Sequence, residues 1–179
     1  MKSAITLIEL LVVIALVGII AGVGWPSLGG WNCRQDLRNE FENFNNYMRK
    51  VQSESVSSNK TTKVATYFYQ SPFGGGGTYN RAFLHTEKTC SSSGRSQIKN
   101  GYPTLIIPLD IEILVDNTPL KWKRAYQCFY PDGSATANNY QFTKLCGGKK
   151  YLYKTQFFGA TGLIEKLKYN YTSSTWDDI

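Results

Sequence analysis

Histidine is almost missing from this chain: His85 is the single one in 179 residues. That excludes a histidine-rich metal site and leaves a histidine-based catalytic triad without support. Charged residues are scarce at 18 %, against the usual quarter, which excludes a charged disordered tail or a coiled-coil rod. Acids are fewer than bases, 13 against 20, for a formal charge of +7. The four cysteines contain no C-x-x-C pair and no zinc spacing, and they are too few for a disulfide-dense miniprotein. The glycine run at 74–77 is not followed by Gly-Lys-Ser/Thr, so it is no phosphate loop; a hairpin tip fits it better. A mean hydropathy of −0.30 excludes a multi-pass membrane protein, though a mean conceals local extremes.

One such extreme lies at the start. Residues 5–23 read ITLIELLVVIALVGIIAGV, enough for about 29 Å of helix, close to the hydrocarbon thickness of a bilayer. Glu9 is the sole charge inside it. A carboxylate in such a run costs about 2.5–3.5 kcal/mol on insertion scales, so it calls for a cationic partner. The bland readings are a signal peptide and a plain single-span anchor. Lys2 is a weak basic start for a signal peptide, and Glu9 is out of place in its apolar region.

Residues 4–13, AITLIELLVV, resemble the class III signal of type IV pilins and type II secretion pseudopilins. The resemblance implies that a prepilin peptidase cuts between Ala4 and Ile5 and N-methylates Ile5. Glu9 then occupies the fifth mature position. It would neutralise the new amine of Ile5, either its own or that of a neighbouring subunit, and in the second case set axial register. Pro26 resembles the proline that interrupts the first helix of the family; its ring removes an N–H and disfavours helix at Trp25. With Gly22, Gly24, Gly29 and Gly30 nearby, a kink or melted stretch is expected there in an assembled fibre.

Beyond residue 30 the chain turns polar but keeps a helical rhythm. Leu37, Phe41, Phe44, Met48 and Val51 recur every three or four positions, an amphipathic stripe that should dock on a sheet. The break at 57–60 ends the helix. From residue 62 the helical period gives way to β-branched and aromatic runs, read as strands near 62–69, 81–87, 104–115, 121–130, 140–145, 151–157 and 163–171. Turns are expected at 117–119, 131–133, 147–148 and 159–162. The fold class expected is α+β: a long N-terminal hydrophobic helix, the pilin spine, packed on an antiparallel β-sheet head. The turn Tyr130-Pro131-Asp132-Gly133 and the later run Phe158-Gly159-Ala160-Thr161-Gly162 resemble those of GspH/FimT-type minor pilins.

The resemblance divides the chain into a leader (1–4), a transmembrane or filament-core helix (5–29), an amphipathic extension (30–60) and a β-rich periplasmic head (61–179). It places the chain in a bacterial inner membrane as a single-pass protein with a periplasmic head, and then in a fibre. Cys33, Cys90, Cys128 and Cys146 would then sit on an oxidising side, where disulfides form. Three pairings are possible. Cys128–Cys146, across the turn at Asp132, is the favoured one; it leaves Cys33 with Cys90, or both of these as free thiols.

Basic residues gather at Lys121, Lys123 and Arg124, at Lys149 and Lys150, and at Lys166 and Lys168, with Trp122, Tyr126, Tyr151 and Tyr153 nearby. Mixed bases and aromatics suit DNA through phosphate contacts and stacking. A solvated basic face is the plainer reading, and the arginine motif that DNA-uptake minor pilins carry is replaced here by residues 162–165, GLIE. No enzyme is expected. Asp177 and Asp178 are adjacent in the tail, and Asp110 with Glu112 fall short of a calcium shell. No cofactor, metal or small-molecule substrate is expected. The partners implied by the resemblance are other pilins or pseudopilins in a helical filament, prepilin peptidase and an inner-membrane assembly platform, with DNA as an alternative.

Overall fold

The computed structural model describes residues 6–70, 76–84, 90, 97–98, 104–120 and 124–179. Ala4, Ile5, His85, Lys121, Trp122 and Lys123 lie outside these residues.

One helix and eleven strands make up the described chain, in the order α1 (Leu7–Ser58), β1 (Thr62–Gln70), β2 (Gly76–Leu84), β3 (Gln97–Ile98), β4 (Leu105–Ile107), β5 (Glu112–Val115), β6 (Thr118–Pro119), β7 (Arg124–Phe129), β8 (Asn138–Cys146), β9 (Lys149–Phe157), β10 (Ile164–Asn170) and β11 (Thr175–Asp178). The helix runs unbroken through Pro26. It ends at Asn59, which takes the left-handed conformation (φ 52°) and donates its N–H to the Ser55 and Val56 carbonyls, a job suited to asparagine.

The α+β class holds, but the long hydrophobic spine does not. Among the described residues no helix is long and apolar enough to cross a membrane. From Gly29 onward α1 is polar with a single buried stripe. The single-pass inner-membrane location expected from the sequence therefore has no support in the structure.

The strands form two antiparallel sheets rather than the one expected. The first has the order β3-β2-β1-β7, with β4 also paired to β2; the second has the order β11-β10-β9-β8-β5-β6. The expected strand at 104–115 is broken by Pro108, whose carbonyl accepts from Ile111 N–H in a turn that passes the chain from the first sheet to the second. Pro108 itself has no N–H to give a ladder.

The helical stripe behaves as its spacing requires. Leu37, Phe41, Phe44, Met48 and Val51 are all fully buried. They meet one face of the second sheet: Phe41 packs on Phe142 and Tyr153, and Phe44 on Tyr140 and Phe142, with ring centroids 5.0–5.5 Å apart. Because strand side chains alternate, the same face of β8 continues as Lys144 and Cys146. Phe129 of the first sheet closes the core against Phe157. The free edge of β7 is covered by the following segment, where Thr136 donates its N–H to the Cys128 carbonyl and accepts from Cys128 N–H through Oγ1. Such cover protects an edge from pairing with another chain.

Candidate functional site

The amino end of α1 is built by two residues. Thr6 is the N-cap, in extended conformation, and Glu9 reaches back to it. Glu9 Oε2 accepts from both Thr6 N–H and Thr6 Oγ1, each at 2.9 Å. The carboxylate thus satisfies a backbone donor at the positive end of the helix dipole. Thr6-x-x-Glu9 is a capping-box pattern legible in the sequence, and it gives Glu9 a partner other than the Ile5 amine expected for it. Ile5 lies outside the described residues, so the described partner of Glu9 is Thr6.

Beyond this cap, α1 carries a row of exposed apolar side chains. Leu7, Ile8, Leu10, Leu11, Val12, Val13, Ile14, Leu16, Val17 and Ile19 are each 53–75 % exposed. Isolated exposed leucines are ordinary, but ten in thirteen positions form a patch of the kind that marks an interaction surface.

The helix meets the head at a neck formed by the β8–β9 hairpin tip. Cys33 of α1 is disulfide-bonded to Cys146 at the end of β8, with Cα atoms 5.6 Å apart. At the next residue, the Arg34 guanidinium sits 5.5 Å from the centroid of the Tyr151 ring. Then Asp36 lies 4.0 Å from Lys144 Nζ, which pairs more closely with Asp110 at 2.9 Å. The second disulfide joins Cys90 to Cys128 of β7, with Cα atoms 6.2 Å apart. The favoured pairing Cys128–Cys146 is therefore wrong, as is Cys33–Cys90. The turn at Asp132 does not fold one strand back on the other; it carries the chain from the first sheet to the second, so Cys128 and Cys146 belong to different sheets.

The turn itself is well made. Asp132 Oδ1 accepts from Ser134 Oγ at 2.6 Å and Ser134 N–H at 2.9 Å. These bonds favour the ionised form and hold the Asp132 carboxyl below its ordinary range.

The described basic residues among the possible DNA contacts lie on both sheets. Lys166 Nζ pairs with Glu42 of α1 at 2.9 Å. Lys168 stands opposite Asp177 in the β10–β11 ladder. Arg124 is on the first sheet, its guanidinium 5.9 Å from the Tyr67 ring centroid. Lys149 and Lys150 are exposed where β9 leaves the hairpin tip. Among the expected aromatic partners, Tyr126 faces Lys63, whose Nζ is 4.2 Å from its centroid, and Tyr153 is buried against Phe41.

A cleft of about 250 Å³ lies between α1 and the β4–β5 turn, lined by Asp36, Asn39, Glu40, Pro108, Asp110, Ile111 and Lys144. Asp110, which with Glu112 falls short of a calcium shell, pairs with Lys144. Among the described residues no group of three His, Cys, Asp or Glu side chains is placed to hold a metal ion. Desolvation raises the Glu40 carboxyl above its ordinary range, offset by a hydrogen bond from Asn43 and reinforced by the charge of Asp36.

Comparison with known proteins returns nothing: no family model, no curated protein and no solved structure matches the chain.

Proposed function

We propose that this chain is a non-enzymatic structural subunit of a pilus-like fibre, of the kind a type IV pilus or a type II secretion pseudopilus is built from. The observation that carries this reading is the row of ten exposed apolar side chains at 7–19, projecting from a well-packed head. Such a row is satisfied when further copies of the chain, or related subunits, lay their own helices against it. Glu9 sits near the start of the row, where an intersubunit contact to an amine would neutralise it in low-dielectric surroundings. The signal-like stretch at residues 4–13 adds processing between Ala4 and Ile5 to the proposal. The head, with its two sheets and two disulfides, gives such a subunit a rigid exterior. Its action is mechanical: polymerising, priming a fibre or ending one.

Two measurements test this. Mass spectrometry of the mature protein is expected to find Ile5 as the methylated first residue; an intact Met1 rejects the processing step. Glu9→Ala is expected to abolish fibre formation while the head still folds. Fibres at normal abundance from this variant would remove Glu9 from assembly.

The DNA reading rests on less, since Lys166 is engaged by Glu42 and Lys168 faces Asp177. A full-chain gel shift at low and high salt separates the two: retardation at low salt that disappears at high salt is the signature of phosphate contacts.

A further inference from the structure

We propose that the Cys33–Cys146 disulfide is a clamp that fixes where α1 leaves the head, and that its reduction frees residues 30–36 while the core stays folded. The inference goes beyond the fibre reading and holds whether or not the chain polymerises.

The argument starts from where burial begins. Upstream of Leu37, none of the described side chains of α1 is buried. Leu37 is the first rung of the apolar stripe, and Phe41, Phe44, Met48 and Val51 follow it into the core. Residues 30–36 lie alongside the head without an apolar reason to stay there. The Arg34–Tyr151 contact involves an exposed arginine, and the Asp36–Lys144 pair is long, with Asp36 largely in water. Exposed contacts of both kinds are weak and screened by salt. The backbones do come close: a Cβ on Gly147 would meet Gly30 Cα at 3.9 Å. That contact is small in area and has no side chains to bury.

The disulfide is the exception. Tyr140, Phe142, Lys144 and Cys146 share one face of β8 and run antiparallel to α1, meeting Phe44, Phe41, Asp36 and Cys33 in turn. Going up this ladder, the contacts pass from aromatic to ionic to covalent. The covalent rung stands where the others have become weak. It joins residues 113 positions apart, so it also closes most of the chain into one loop. Without that bond, the helix upstream of its first buried residue, Leu37, is held to the head only by these weak contacts.

The chemistry of release is simple. A dithiol reductant attacks one sulfur through its thiolate, its second thiol then resolves the mixed disulfide, and the reductant leaves as a cyclic disulfide. Two electrons and two protons pass to the protein, the Cys33–Cys146 bond breaks, and two thiols form.

Hydrogen exchange of the full chain, read by mass spectrometry, tests the clamp. In the double variant C33S/C146S, exchange of peptides covering 30–36 is expected to rise by about tenfold or more, with peptides covering 37–58 unchanged. In C90S/C128S, exchange at 30–36 is expected to match the parent. If the first variant does not fold, the same measurement on the folded parent after a brief pulse of dithiothreitol replaces it. Unchanged exchange at 30–36 without the Cys33–Cys146 bond overturns the proposal. So does an equal rise across 37–58, which would make the bond a general staple of the fold rather than a clamp on the neck.

Discussion

Thr155 of β9 donates its hydroxyl to Asn45 Oδ1 of α1 at 2.8 Å, and both residues are out of contact with solvent. Asn45 in turn donates from Nδ2 to the Phe41 carbonyl one turn earlier, at 2.7 Å. A polar pair thus sits among the aromatic rings that join helix to sheet and fixes the rotation of α1 on the second sheet. Thr155→Val keeps the shape and removes the donor, leaving Asn45 Oδ1 buried without its partner. The expected loss is about 1–3 kcal/mol, measured as a lower urea midpoint at unchanged slope. A double variant with Asn45→Leu should recover part of that loss, because no orphaned polar atom remains.

Gln52 holds two turns at once: its Nε2 donates to the Gly133 carbonyl at 3.1 Å and to the Gly162 carbonyl at 2.8 Å. Gly162 has φ +62°, and a Cβ there would collide with the Gly133 carbonyl oxygen and come within 2.6 Å of Gln52 Nε2. Gly162→Ala is expected to cost well over about 2 kcal/mol, combining the left-handed penalty with the clash. Gly148 supplies the control. It also has positive φ, +79°, but open space around it, so Gly148→Ala should cost only about 1–2 kcal/mol, the conformational penalty alone. Thermal melting of the two variants side by side checks the difference.

Glu40 gives a pH dependence of unusual sign. Desolvation raises its carboxyl in the folded chain, so the fold binds this proton more tightly than the unfolded chain does. Its contribution to stability is fully present below the unfolded carboxylate range and is lost as pH rises through the raised folded value. Glu40→Gln is therefore expected to raise the melting temperature at neutral pH and to leave it nearly unchanged near pH 3. A larger gain in acid than at neutrality would contradict the assignment.

Lys166 and Glu42 tie β10 to the helix with two contacts of 2.9 and 3.0 Å between Nζ and the carboxylate. The pair is partly shielded from water. Lys166→Met is expected to lower stability by about 1 kcal/mol or less. Lys168→Met, on an exposed position of the same strand, should change it less. A salt titration is the check, since the difference between the two variants should shrink as ionic strength rises.

Much of the scaffold is legible in the residues. The stripe Leu37, Phe41, Phe44, Met48 and Val51 is buried without exception, because a helix with one apolar stripe has one way to remove it from water. The turns at Pro131, Gly147 and Gly159 fall where proline, aspartate and glycine make them cheap. Strands β1, β7, β8, β9 and β10 lie close to their expected spans. The short β3 and β6 and the terminal β11 were not expected, since two to four residues carry too little pattern to read. The candidate site was legible in part. Glu9 stands out in its apolar run, but its described partner is Thr6, three residues away.

What the sequence determined by itself is local: the helical period, the turn chemistry, the capping pattern at Thr6 and Glu9, and the presence of an apolar run. Each depends on residues within a few positions of one another. What only the tertiary structure decided is which distant groups meet. Cys33 found Cys146 because β8 runs antiparallel to α1 with its even-numbered residues facing the helix. The turn at Asp132 moves the chain to another sheet and so keeps Cys128 from Cys146, and Cys128 is bonded to Cys90 instead. Lys166 found Glu42 of α1, far from it in the chain. The spine expected from a run of apolar letters was corrected for the same kind of reason. Crossing a membrane depends on a whole element's length and polarity, and the buried stripe and polar faces of α1 beyond Gly29 belong to a helix packed on sheets.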